Sequence, residues 1–167
     1  MVDYDGHIRR GHPIMMGLLC FFAIIEACIT SWLVSRYNDH NSYPSNSYRD
    51  RLKFLCFVSW WTVVFTGAYL AVFIINAASF LASIASHFIF FFITWVFWLA
   101  GVASFTSALG GGRRCSAHPI TYCHQLLAAE AFGWIEWIIL TIAFIFLILI
   151  GFSSMRRGDR VSGGLIA

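Results

Sequence analysis

The chain has 167 residues, 59% hydrophobic, 18% aromatic and 11% charged, with a formal net charge of +3. An ordinary soluble domain carries roughly a quarter charged residues, so a water-soluble fold is excluded. The small positive balance contains no Lys/Arg run, which excludes a basic groove for nucleic acid as partner.

Residues 1–13 form a polar start ending in Arg9-Arg10-Gly11-His12-Pro13, read as a tail. An apolar stretch over 14–34 follows, long enough to cross a hydrocarbon core of about 30 Å. It is too long for the apolar region of a signal peptide, and no small-residue cleavage site follows it, so this span is expected to stay in the mature protein. Residues 35–51 turn polar, with Asn38, Asp39, Asn41, Pro44 and Asn46 among Tyr37, Tyr43 and Tyr48, which predicts a solvent loop. A second span covers 52–75, and a link of four residues, 76–79, leads to a third over 80–108. So short a link forces an antiparallel hairpin. The next connection opens with Gly110-Gly111-Gly112, which ends any helix there, and carries Arg113, Arg114, Cys115, Pro119 and Cys123. A fourth span covers 122–151, and residues 152–167 form a Gly-rich tail with Arg156, Arg157 and Arg160. The expected fold is an all-α integral membrane four-helix antiparallel bundle over 14–151, with both termini on one side.

Sidedness rests on less. Arg9, Arg10, Arg156, Arg157 and Arg160 flank the spans at the termini, against Arg36, Arg49, Arg51, Lys53, Arg113 and Arg114 in the long loops, which is a tie by the positive-inside rule. Cys115 and Cys123 in one connection break it if they form a disulfide, because disulfides persist on the oxidising side. Both termini are then cytosolic, and Arg157-Gly158-Asp159, which looks like an adhesion tripeptide, is a chance match on the inner side. The alternative is two free thiols in a cytosolic loop.

Ionisable groups inside hydrocarbon cost a few kcal/mol each and are functional candidates by default. Glu26, His87, Glu130 and Glu136 qualify. Helical spacing puts Leu19, Phe22, Ala23, Ile29 and Thr30 on the face of Glu26, and Ala129, Gly133 and Ala143 on that of Glu136. Two carboxyls at similar depth could share a proton and, with His87, line a proton or cation path. The alternative is a pair of protonated carboxyls bonding between helices. Glu130, near the loop side, is expected to pair with a snorkelling Arg51, Lys53, Arg113 or Arg114. His87 shares a seven-residue spacing with Thr94 and Gly101, which points to a hydrogen bond to a neighbouring helix rather than to metal.

Small residues recur four apart at Gly67 and Ala71 and at Ala78, Ala82 and Ser86, and they crowd the Ala129 and Gly133 face; such faces mark close helix packing, within the chain or between chains. Trp95, Trp98 and Trp137 lie deeper than an interfacial belt needs, and are candidates for lipid-facing platforms that bind sterol or sphingolipid, or for simple packing. No motif for hydrolytic, nucleotide-dependent or metal-dependent catalysis is present, so no enzyme activity, cofactor or metal is expected.

The stretches Gly11-His12-Pro13-Ile14-Met15-Met16-Gly17, Ser86-His87-Phe88, Thr94-Trp95 with Leu99-Ala100-Gly101, Ala108-Leu109-Gly110-Gly111-Gly112 and Arg156-Arg157-Gly158-Asp159 carry a resemblance to a known family. Together with the order of spans and loops, they make the chain similar to MARVEL-domain proteins, and in particular to their short fungal members. The resemblance covers nearly the whole chain. It implies a four-helix bundle with cytosolic ends in plasma membrane or vesicles and association with sterol- or sphingolipid-rich membrane; the small-residue faces, the Trp-rich spans and the lack of catalytic motifs point to a non-enzymatic organising role with self-association into homo-oligomers. It supplies no catalytic residues. Cys115 and Cys123 match the paired loop cysteines of some members, and Glu136 stands where the resemblance implies a neutral polar residue.

Overall fold

The computed structural model describes residues 4–75, 84–111, 115 and 120–156, with side chains described for 14–71, 75, 88–111, 115 and 120–149. Four helices follow in order: α1 Tyr4–Asp39, α2 Asn46–Ile75, α3 Ile84–Leu109 and α4 Cys123–Arg156. All four are long and apolar enough to cross a membrane, over Ile14–Asp39, Asn46–Ala71, Phe88–Leu109 and Cys123–Leu149. Each helix packs against its neighbour in sequence, and α1 packs against α4, closing the ring. The pairings run antiparallel. Between α2 and α3, Arg51 meets Ser104 and Trp61 meets Thr94; between α1 and α4, Trp32 meets Tyr122 and Phe22 meets Phe132.

The helices outrun the apolar stretches that predict them, most of all around residues 35–51. That segment is not a long loop: α1 runs on to Asp39 and α2 begins at Asn46. The capping chemistry explains both ends. Asn41 adopts a left-handed conformation with φ 46°, and Ser42 N–H donates to Tyr37 O while Asn41 N–H donates to Asn38 O, a Schellman closure. The Ser45 hydroxyl accepts the Tyr48 N–H, as an N-cap residue should. Gly110 closes α3 in the same way as Asn41 closes α1, with φ 83° and with Gly111 N–H reaching back to Thr106 O. At the other end α1 begins at Tyr4 and passes through Pro13, inside the stretch read as a tail.

The interior follows a three-four spacing on every helix. On α1 the seam is Met16, Leu19, Ala23, Glu26, Thr30, Leu33 and Tyr37; on α2 it is Tyr48, Leu52, Leu55, Ser59, Thr62, Thr66 and Tyr69; all are buried. Phe91, Thr94, Trp98, Val102, Phe105 and Leu109 continue it on α3, and Leu126, Ala129, Gly133, Glu136, Leu140, Ala143 and Leu147 on α4. This is the ridge-and-groove geometry of a bundle with a small crossing angle. The opposite faces carry exposed Ile14, Leu18, Phe21, Phe57, Trp60, Val64, Ile89, Phe92, Ile138, Ile142 and Leu149. Such a continuous apolar exterior has no place in water and suits hydrocarbon.

The loop-side end of the bundle is closed by aromatic rings. The Tyr37 O–H donates to Thr121 O at 2.6 Å, and its ring stacks on Tyr43 at 5.0 Å and meets Tyr48 and Tyr122 edge-on. Cys115 and Cys123 are disulfide-bonded beside this cluster. The Arg51 guanidinium donates to Ser104 O at 2.8 Å, and that of Arg36 lies over the Trp32 ring. Tyr43, in the α1–α2 turn, donates to Val34 O and to Asn38 Oδ1. Partial burial pushes its phenol above the ordinary value; the Arg49 guanidinium pulls it back down and Cys56 adds to the rise.

Candidate functional site

The helices are stitched together by tryptophan. Trp60 N–H donates to Ser31 Oγ, Trp61 to Thr94 Oγ1, Trp95 to Thr141 Oγ1, Trp98 to Thr62 Oγ1 and Trp134 to Thr106 Oγ1, all between 2.9 and 3.1 Å. Every one of these bonds joins neighbouring helices, and together they span three of the four contacts in the ring. An indole N–H in hydrocarbon has no water to turn to, so it takes a hydroxyl from the adjacent helix. This corrects the reading of Trp98 as a lipid-facing platform, because it is fully buried. Trp95 and Trp137 are half-buried and pack on each other at 5.9 Å, with Trp134 edge-on to Trp137. The hydroxyl partners went unnoticed in sequence. The signal was there in Ser59, Thr62 and Thr66, three hydroxyls at the seam spacing of α2.

Glu26 and Glu136 lie on the inner seams of α1 and α4, two helices that pack against each other, each near the middle of its span. Both are 0% exposed. None of the four carboxyl oxygens has a hydrogen-bond partner. The hydroxyls around them are committed elsewhere: Thr30 donates to Glu26 O, Ser59 to Leu55 O, Thr62 to Val58 O and Thr66 to Thr62 O, each one turn back on its own helix. The bundle interior is therefore rich in acceptors and poor in donors at mid-membrane.

Glu136 is brought to this depth by a close helix contact one turn earlier. A Cβ at Gly133 would lie 3.1 Å from Val102 Cγ2 and 3.7 Å from the Trp98 ring, so only glycine lets α4 approach α3 without displacement there. Ala129 on the same face is buried. Gly67 and Ala71 behave differently. Nothing lies within 4 Å of a Cβ built on Gly67, and Ala71 is exposed, so among the described residues the close packing expected of them is not made.

The remaining candidates separate. Glu130 is buried toward the loop side, near enough for its charge to act on the Tyr48 phenol. The expected partner Arg51 is turned to Ser104 O instead, Lys53 is exposed, and Arg113 and Arg114 lie outside the described residues. Among the described residues the ion pair is Arg49 with Asp50 at 3.3 Å, so the Glu130 pairing is corrected for Arg51 and Lys53. Ala78 and Ala82 also lie outside the described residues, as do Arg157, Gly158 and Asp159; Ser86 and His87 fall on α3, but their side chains are outside the described set. Among the described residues no group of three His, Cys, Asp or Glu side chains could hold a metal ion.

A family model for MARVEL, a membrane-associating domain, matches residues 8–146. The chain belongs to the MARVEL family. The matched region of this MARVEL protein holds both mid-membrane carboxyls, the disulfide and all five indole bonds, and with four spanning helices the chain is a multi-pass membrane protein. No curated protein and no solved structure matches it.

Proposed function

We propose that this MARVEL protein organises membrane rather than catalysing a reaction, by associating with copies of itself and gathering ordered lipid around the resulting assembly. The observation that carries this reading is the outward face of α2. Phe57, Trp60 and Val64 are exposed at the same three-four spacing that continues to Gly67 and Ala71, so bulky side chains flank a shallow notch that no described residue fills. In lipid, helices associate through small residues that let backbones approach, and flat rigid molecules pack well against aromatic walls. Sterol or sphingolipid is the lipid class this surface and the family resemblance favour. Both termini are placed in the cytosol, which the Cys115–Cys123 disulfide supports because it needs an oxidising side. Plasma membrane or secretory vesicles, in the manner of the short fungal members, is the setting this reading takes.

Native mass spectrometry of the protein released directly from its own membrane tests this. The expected result is a defined oligomer retaining sterol or sphingolipid, weakened when Gly67 is replaced by Leu. A lipid-poor monomer would overturn the reading.

A further inference from the structure

We propose that Glu26 and Glu136 form a mid-membrane site for small monovalent cations, holding a proton and exchanging a second proton for a sodium ion. The argument is one of charge and hydrogen-bond supply. Both side chains are fully buried on helices that pack against each other, and all four carboxyl oxygens lack a protein donor. The hydroxyls of Thr30, Ser59, Thr62 and Thr66 have given their protons to backbone carbonyls and keep only lone pairs to offer. The buried indole N–H without an acceptor, on Trp137, lies in the stack with Trp95 and Trp134 on the α3 side.

Among the described residues, the ionisable side chains of these helices away from the loop-side ends are Cys20, Cys28, Cys56 and Tyr69, with Glu130 toward the loop side; Tyr37, Asp39, Tyr48, Asp50 and His124 lie at the loop-side ends, and α3 over 88–109 carries none. The Arg and Lys side chains described within the spans, Arg36, Arg49, Arg51 and Lys53, are all near the loop-side ends. A bare pair would carry two negative charges in hydrocarbon, which is prohibitive. Two protons neutralise it, and so do one proton and one sodium ion, the ion taking carboxyl and hydroxyl oxygens, which are the hard ligands it prefers. Two buried acids among hydroxyls that act only as acceptors have no described basic partner to neutralise them, so positive charge must enter from solution.

The test uses the full chain in phosphatidylcholine nanodiscs, with thermal unfolding followed from mildly acidic to mildly alkaline pH in choline chloride or sodium chloride at equal ionic strength. The wild-type Tm is expected to fall as pH rises in choline and to recover in sodium, and the double variant Glu26→Gln, Glu136→Gln is expected to lose both responses. A pH response without sodium recovery overturns the ion exchange and leaves a proton pair. Equal responses in wild type and double variant overturn the site. A second measurement on the wild type alone guards against a variant that does not fold: carbodiimide modification of Glu26 or Glu136, located by peptide mass, should fall several-fold on raising pH or adding sodium. Modification indifferent to both overturns the proposal.

Discussion

The loop-side cap and the mid-membrane layer are built from similar residues but solve opposite problems. At the cap, Tyr37 has a backbone carbonyl, Arg51 has another, and Tyr43 has two acceptors. At mid-membrane, Trp98 donates its single hydrogen bond to Thr62, while Glu26 and Glu136 have none. Polar groups at the cap are distributed over many weak, replaceable contacts. In the middle each group has one partner or must wait for one from outside, because hydrocarbon offers no substitute.

Three perturbations sharpen that contrast. The largest effect is expected from Trp98→Ala, which removes a fully buried indole and the donor that the Thr62 hydroxyl accepts from. It should cost about 3 to 5 kcal/mol in a chemical unfolding titration in micelles, by analogy with other buried aromatic truncations. A loss no larger than that of a cap variant would break the comparison. Opening the Cys115–Cys123 bond, which closes a loop with a sequence separation of 8, should cost roughly 2.5 kcal/mol on the chain-entropy account. Unfolding with and without reductant, against the Cys115→Ser, Cys123→Ser double variant, measures it, and the variant should not respond to reductant.

The smallest effect is at Tyr43. Tyr43→Phe removes donors to Val34 O and Asn38 Oδ1 and should cost about 0.5 to 1.5 kcal/mol. The sign with pH follows from its phenol being held above the ordinary value, chiefly by burial. Folding favours the protonated form, so this contribution is full below the unfolded value of about 10 and is lost as pH rises through the folded one. An alkaline unfolding series should show that loss in wild type and not in the variant.

Several of these features were legible in the residues. The four spans were, because a run of about 20 apolar residues has few alternatives to a membrane helix. Glu26 and Glu136 stood out as ionisable groups at similar depth, and the Gly110 run as a helix end. The α1–α2 turn was misjudged: Asn38, Asp39 and Asn46 belong to helices, and only Asn41 in its left-handed conformation and Ser45 as a cap act as turn chemistry. Trp98 was misjudged for a different reason. Its depth was readable but its direction was not, since either face of an all-apolar helix can be the inner one.

The sequence alone determined that this chain lives in a bilayer as four helices, and it placed acids in the middle of two of them, since apolar length and charge position depend on nothing but residue order. The tertiary structure decided which helix sits beside which. That ring order places α1 against α4, so that Glu26 and Glu136 line the inner seams of packed helices, commits Gly133 to the α3 contact while Gly67 meets no described neighbour, and gives each of five indoles a hydroxyl on the next helix. Helix neighbours are set by packing and by the need to satisfy buried donors, and one strand of sequence carries neither until it is folded.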